Sequence, residues 1–161
     1  MRGVVLQVNL SPGGLPKRPV SEAFLTPLGF EGDDVAHPGV HGGPRKSVLL
    51  ATAEAIDELA AQGFPLFYGA LGENLTTRGI DRRELRGGMR LRTGGALIEL
   101  TQPRTPCAAL EVYGAELQRR IPEKGAGPTH PDWARGGFYA AVIEPGWVRA
   151  KDIIWVVDAA V

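Results

Sequence analysis

The chain of 161 residues holds a single cysteine, Cys107. One thiol cannot form an internal disulfide, a Cys-x-x-Cys redox pair, a four-cysteine zinc site or a four-cysteine iron–sulfur cluster. The sequence also has no Gly-x-Gly-x-x-Gly segment of the kind that opens a nicotinamide-binding Rossmann unit. Any redox chemistry would therefore need electrons from another protein.

An excess of charge and a long apolar run are also missing. Eighteen basic and eighteen acidic residues give a formal net charge of zero, which argues against nucleic acid or an anionic membrane surface as the partner and favours a small molecule. No apolar run approaches the roughly 20 residues of a membrane span, and the amino-terminal run meets Gln7 too early for a signal peptide. We expect a cytoplasmic protein that binds no membrane.

Glycine and proline are abundant, with 22 and 13 residues. Because aliphatic and charged residues are interspersed among them, this composition indicates an ordered fold with many tight turns rather than a low-complexity tail. We find no internal repeat and no long linker. The length is that of one ordinary domain, so we expect a single domain over residues 1–161.

Two segments near the start of the chain have clear periodicity. Residues 4–10 alternate between apolar and polar positions, which predicts a half-buried strand. Residues 47–51 form an apolar run of buried-strand length, followed by Thr52 as a candidate helix N-cap. Ile56, Leu59 and Ala60 then fall on one helical face, and Gly63 with Pro65 predicts the end of the helix. Residues 15–43, broken by prolines and glycines, predict short strands and a functional loop.

The second half of the chain is rich in strand signals. Alternating runs at 89–93 and 96–101 flank Gly94 and Gly95, which predicts a hairpin with a type I′ turn. A short helix is predicted to carry Leu117 and Ile121, and the loop 122–132 follows it. Runs at 138–143 and 153–157 predict closing strands. The fold class is therefore mainly β with a few helices (α+β), arranged as a barrel-like antiparallel or mixed sheet.

Three polar, glycine-rich segments stand between these elements, at 29–46, 69–77 and 101–107. The third ends at Cys107, and its two prolines restrict the loop that presents the thiol. A lone cysteine is more often a small buried hydrophobe. Its position beside Arg104 in a Pro-rich loop instead favours a thiolate that acts as nucleophile or metal ligand.

The first segment also contains His37 and His41, with Asp33 and Asp34 nearby. This pattern suggests a divalent-metal hydrolase, but Pro38 makes the helix that such a spacing requires improbable. A hydrogen bond from His41 to a tight turn is the alternative.

Two further alternatives stay open. Lys46 is either a solvated cation or part of an anion site formed with glycine N–H groups. Glu73 and Asn74 either form an ordinary turn or offer hydrogen bonds to a heterocycle.

Taken together and in order, four motifs resemble the successive signatures of the MOSC domain family, the carboxy-terminal module of molybdenum cofactor sulfurases. They are GFEGDD at 29–34, HGGPRK at 41–46, GENLTT at 72–77 and TQPRTPC at 101–107. The resemblance implies a MOSC-type β-barrel that binds molybdenum cofactor in its molybdopterin form. It implies that Cys107 holds the metal or transferable sulfur and that Arg104 and Thr105 line the pocket. The residues implied to contact or shape the pterin-phosphate end are Glu73, Asn74, His41 and Lys46.

The resemblance implies two kinds of function. The first is a molybdoenzyme, an oxidoreductase that reduces N-hydroxylated compounds with electrons from a partner reductase. The second is a sulfur carrier or cofactor-delivery module in which Cys107 accepts sulfur as a persulfide from a cysteine desulfurase. We do not expect pyridoxal phosphate in this chain, because it is too short to include the sulfurase half.

Overall fold

The computed structural model of the chain describes residues 1–34 and 43–158. Strands dominate these residues, and α1 (Ala53–Ala61) is the α-helix among them. The strands are β1 (Arg2–Leu10), β2 (Arg18–Val20), β3 (Glu22–Thr26), β4 (Gly29–Phe30), β5 (Val48–Thr52), β6 (Leu75–Arg78), β7 (Arg90–Thr93), β8 (Ala96–Pro103), β9 (Phe138–Glu144), β10 (Gly146–Arg149) and β11 (Ile153–Asp158). Short 3₁₀ helices lie at Pro44–Lys46, Arg82–Glu84, Ala108–Tyr113 and Ala115–Arg120.

Seven of these strands close into a mixed barrel, as the fold class predicted. Their order around the barrel is β11, β7, β8, β9, β5, β6 and β1, and β1 pairs again with β11. An odd number of strands cannot alternate in direction around a closed ring, so one neighbouring pair must be parallel. That pair is β5 and β6. Strands β3, β4 and β10 form a separate small sheet.

The parallel pair requires a crossover, and α1 supplies it. The Thr52 hydroxyl accepts the Ala55 N–H at 3.2 Å, which confirms Thr52 as the N-cap. Ile56 and Leu59 are buried on one face of the helix. Beyond its end, Gly63 has a φ of 101°, as a helix stop favours.

The predicted hairpin is confirmed, but its turn type was wrong. Thr93 pairs with Ala96, so Gly94 and Gly95 form a two-residue loop between β7 and β8. Of the two glycines only Gly94 has a positive φ, 54°, which fits a type II′ turn rather than type I′. A Cβ atom on Gly94 would lie 2.3 Å from the Trp147 carbonyl oxygen, so the close approach of β10 also requires glycine there.

Two apolar clusters support this architecture. The first lies among the barrel strands and includes the fully buried Leu25, Leu50, Leu91, Ile98 and Phe138. The second joins α1 to the 3₁₀ helices that follow Cys107, and Cys107 packs against its edge. Each buried Leu, Ile or Phe side chain contributes about 1.5–3 kcal/mol to folding.

Most of the predicted strands are present in the structure. Strands β1, β5, β9 and β11 lie where periodicity placed them, and the short helix near Leu117 is a 3₁₀ helix. Residues 75–77, the last three of the glycine-rich segment 69–77, belong to strand β6 instead of a loop. Among the described residues, no helix is long and apolar enough to span a membrane.

Candidate functional site

A pocket of about 120 Å³ lies where the polar loops meet at one end of the barrel. Its lining comes from the loops after β1, β4 and β8, from β5 and the residues before it, from the residues before β6, and from the start of β9. The side chains in this lining include Lys17, Asp33, Lys46, Leu71, Asn74, Arg104, Cys107 and Tyr139. The three glycine-rich segments of the sequence therefore converge on one cavity.

Cys107 lies in the wall of this pocket and is half-buried. The chain leaves β8 at Pro103, the Arg104 N–H donates to the Gly137 carbonyl at 2.9 Å, and Cys107 itself is extended. Its carbonyl accepts the Leu110 N–H at 3.0 Å, which ties it to the following 3₁₀ helix. Backbone bonds on both sides thus hold the thiol at the cavity.

Arg104 is a buried cation of the site, with 4% of its surface exposed. Its Nη1 donates to the Leu71 carbonyl at 2.6 Å. Its Nε is buried and has no acceptor among the described residues. A buried guanidinium with an unused donor in a pocket wall is suited to bind an anion, because leaving such a donor unpaired is costly.

The charges that line the pocket are unbalanced. In the described part of the chain the lining contains three cations, Lys17, Lys46 and Arg104, and one carboxylate, Asp33. Lys17 and Asp33 form an ion pair at 2.7 Å, with only 6% and 10% of their side chains exposed. Because Lys17 and Asp33 offset each other, the unused Nε donor of Arg104 is the feature of the lining that favours an anionic ligand.

Asp33 does not act as a free metal ligand. Its carboxylate accepts the Ser11 N–H at 2.9 Å, the Lys17 ammonium, and the Asn74 amide at 2.9 Å. Residues 1–34 and 43–158 contain no group of three side chains able to hold a metal ion. His37 and His41 lie outside the described residues, so the roles predicted for them stay predictions.

Glu73 lies behind the pocket wall and is fully buried. Its carboxylate accepts the N–H groups of Gly69 at 2.9 Å and Leu71 at 3.2 Å, and the Thr76 hydroxyl at 2.9 Å. Burial raises the pKa of Glu73, although these hydrogen bonds and the charge of Arg104 act in the opposite direction. The resemblance implied that Glu73 either contacts a ligand or shapes the pocket. Its position behind the wall favours the second role.

Asn74 lines the pocket, but its amide is already engaged. Its oxygen accepts the Leu49 N–H at 3.1 Å, and its nitrogen donates to the Asn9 carbonyl and to Asp33. Asn74 therefore anchors the turn before β6 against β1 and β5. Contact with a ligand heterocycle stays a prediction.

The structure does not bring Thr105 to this pocket. Thr105 lines a neighbouring groove with Pro103, Pro122 and Trp133. Arg104 and Thr105 are consecutive in an extended loop, and consecutive side chains in extended backbone point to opposite sides. Arg104 faces the pocket, and Thr105 faces away from it.

Sequence reasoning missed two lining residues, Lys17 and Tyr139. Lys17 directly follows Leu15 and Pro16. A cation beside an apolar residue and a proline was the signal that could have identified it as a site residue. Tyr139 was read only as part of a closing strand. Lys46 lies 5.2 Å from the centre of its ring. Burial raises the pKa of Tyr139, so its hydroxyl is protonated at neutral pH and can donate a hydrogen bond.

These buried polar side chains are connected, and we call them the polar network. Lys17 is hydrogen-bonded to Asp33, Asp33 to Asn74, and Asn74 to the Asn9 carbonyl. The Asn9 amide donates to Thr76, and Thr76 donates to Glu73. Glu73 and Arg104 are both hydrogen-bonded to the backbone of Leu71. The members are Asn9, Lys17, Asp33, Glu73, Asn74, Thr76 and Arg104.

A family model and two relatives match most of the sequence of this chain. The family model of the MOSC domain matches residues 37–155. Protein YiiM of Escherichia coli (strain K12) is 39% identical over 136 residues, which cover 80% of this chain and 56% of YiiM. Uncharacterized protein YflK of Bacillus subtilis (strain 168) is 34% identical over 141 residues, which cover 84% of this chain and 59% of YflK. The chain thus spans less than two thirds of the length of these two relatives.

Solved structures resemble the fold over nearly the whole chain. The crystal structure of YiiM from Escherichia coli has a TM-score of 0.75 at 28% identity, and the match covers 99% of this chain and 71% of that one. The YUAD protein from Bacillus subtilis has a TM-score of 0.70 at 18% identity, covering 96% of this chain and 94% of that one, and supports the fold alone.

Proposed function

Because this chain belongs to the MOSC domain family, which in general binds molybdenum cofactor, we propose that its pocket binds that cofactor in the molybdopterin form. One observation carries the proposal. The thiol of Cys107 and the buried, incompletely paired guanidinium of Arg104 share a single cavity. A soft metal ligand and an anion-binding group are the two features that a metal–pterin phosphate requires.

The residues present fit such a group. A thiolate is the protein ligand that suits a transition metal already bound by sulfur, and Cys107 is the thiol of the lining. Lys46 and Arg104 bring positive charge to the same cavity, and Asp33 is neutralised by Lys17. We therefore assign Cys107 to the metal, and Arg104 and Lys46 to the anionic end.

The bound cofactor would supply two-electron redox chemistry at its metal. The reaction we propose is reduction of an N-hydroxylated compound to the amine. The N–O bond breaks, nitrogen gains a hydrogen and oxygen leaves as water, with two electrons and two protons consumed. Because a single thiol cannot hold an iron–sulfur cluster, we propose that an electron-donating reductase supplies the electrons.

This chain's residues contribute position and hydrogen bonds. The backbone hydrogen bonds at Arg104 and Leu110 hold the main chain of Cys107 beside the pocket. Tyr139 contributes its ring and its hydroxyl group to the pocket lining. Leu49 and Leu71 add apolar surface that excludes water from the reacting groups.

The test is cofactor content. We expect the protein, purified from a host grown with sufficient molybdate, to contain about one molybdenum and one pterin per chain, as a single site requires. Cys107→Ser should lose most of the molybdenum while circular dichroism shows an unchanged fold. Val112→Ala, at a side chain that is 72% exposed, is the matched control and should retain full content. Folded wild-type protein without metal or pterin would refute the proposal.

The same preparation tests the second candidate, a sulfur carrier or cofactor-delivery module. The half-buried position of Cys107 at the pocket edge also suits a persulfide. After incubation with a cysteine desulfurase, a carrier should gain a mass of about 32 Da on Cys107, the mass of one sulfur atom. It should also fail to reduce N-hydroxylated compounds with any electron donor. Turnover by the molybdenum-loaded protein would exclude a purely carrier role.

A further inference from the structure

Glu73 and Arg104 hold the same residue of the pocket wall from two sides. The Leu71 N–H donates to Glu73 Oε1 at 3.2 Å, and the Leu71 carbonyl accepts Arg104 Nη1 at 2.6 Å. Leu71 is itself fully buried and lines the pocket. The backbone of one residue thus connects a carboxylate behind the wall to the guanidinium in it.

We propose that Glu73 is a positioning residue, which fixes the Leu71 backbone and thereby directs Arg104 toward an anion in the pocket. This rests on the proposed function only in taking Arg104 as the anion-binding group. Glu73 does not line the pocket, so it acts through Leu71 and makes no contact with the ligand.

A carboxylate is the side chain that this place requires. Glu73 accepts three hydrogen bonds on two oxygens, from Gly69, Leu71 and Thr76. A glutamine has one oxygen and one NH₂ group, so its NH₂ would face a backbone N–H that also needs an acceptor. With the amide oxygen kept toward Gly69 and Thr76, the Leu71 N–H loses its acceptor and the Leu71 peptide must shift.

If Glu73 acted on Arg104 only through its charge, its removal would have the opposite effect on anion affinity, which makes the proposal testable. The ion pairs among the described residues do not include Glu73 with Arg104. If Glu73 acted only by its negative charge, removing that charge would leave the guanidinium less neutralised, and anions would bind more tightly. If Glu73 positions Arg104, the same substitution weakens anion binding.

The experiment is a double-mutant cycle with inorganic phosphate as the probe, measured by isothermal titration of the purified full chain. We expect Glu73→Gln to weaken phosphate binding about tenfold, the loss typical of one misplaced charged hydrogen bond. In an Arg104→Met background, Glu73→Gln should have no further effect, because the two residues act through one path. The non-additivity is a result that general loss of stability would not produce.

Two more variants separate position from charge and from stability. Glu73→Asp keeps the charge but draws the oxygens back, and positioning predicts weaker binding for it as well. Leu91→Ala, at a fully buried side chain of β7 that does not line the pocket, is the control for stability alone. It should lower stability and change phosphate affinity less than twofold.

Three results would overturn the proposal. They are unchanged or tighter phosphate binding by Glu73→Gln, an equal loss from Glu73→Gln with and without Arg104, and absence of phosphate binding by the unaltered chain. A protein without molybdenum that still shows the expected cycle would refute the proposed cofactor while leaving the positioning role of Glu73 intact. The two failures are therefore distinguishable.

Discussion

The barrel interior and the polar network are equally buried but differ in composition. Leu50, Leu91 and Ile98 in the interior have no measurable exposure, and neither does Glu73 in the network. The interior is held by removal of apolar surface from water, which is favourable and non-directional. The network contains groups whose burial is costly unless each finds a partner, and its hydrogen bonds fix particular directions.

This difference indicates what each region contributes. Interior side chains stabilise the barrel, and other side chains of similar volume can replace them. The network adds little net stability, since its hydrogen bonds largely offset the cost of desolvation. It determines instead where Leu71, Arg104 and Asn74 stand around the pocket. We expect substitutions in the two regions to separate stability from binding.

The largest effect on stability is expected in the interior, for Leu91→Ala. Leu91 is fully buried on β7, at the hairpin away from the pocket. The substitution should lower the free energy of unfolding by about 4 kcal/mol, since a closed barrel cannot collapse into the cavity that is left. Urea denaturation measures this loss. The folded fraction should bind phosphate with wild-type affinity, and a change in affinity would show that the two regions are not separate.

A smaller loss of stability with a larger effect on binding is expected for Lys17→Met. The substitution keeps the length of the side chain but leaves Asp33 with only its two N–H donors, from Ser11 and Asn74. We expect unfolding to become easier by about 2 kcal/mol. Phosphate affinity should fall severalfold, because a pocket cation is lost and Asp33 is no longer neutralised. Unchanged affinity in titration calorimetry would show that the pair is only structural.

The smallest effect is the pH dependence that Glu73 confers. Burial raises the pKa of Glu73 in the folded state above its ordinary value. Its contribution to stability is therefore full below the unfolded pKa and is lost as pH rises through the folded pKa. The stability difference between wild type and Glu73→Gln should decrease with rising pH in this range, no more steeply than one proton allows. Urea unfolding at several pH values measures it, and a difference that grows with pH would contradict the assignment.

Local signals predicted a large part of the fold. Helix α1 was predicted because Thr52 can cap it and because Ile56 and Leu59 share one face, both of which depend only on nearby residues. Strand β6 was missed because its four residues have no apolar alternation of their own. They form a strand because β1 and β5 pair with them on either side.

The site was predictable to the extent that it lies on short motifs. Cys107 and Arg104 were found because proline flanks a lone thiol and its neighbouring cation. Lys17 and Tyr139 were not, because they stand on separate segments and reach the pocket only when the barrel closes. The turn type between β7 and β8 likewise depends on β10, which approaches Gly94 from elsewhere in the chain.

By itself the amino-acid sequence determined the single thiol, the balanced charge, the capped helix, the main strands and the order of the four motifs. Composition, capping and periodicity act over a few residues, so they can be read without the fold. Which charges are neutralised depends on contacts between distant segments, which form only when the barrel closes. In the sequence, Asp33 is a candidate metal ligand. In the structure, its carboxylate accepts hydrogen bonds from Lys17, Ser11 and Asn74 instead. Burial left the Arg104 Nε without a partner in the described chain, which is why we propose Arg104 as the anion-binding group, and burial is a property of the closed barrel.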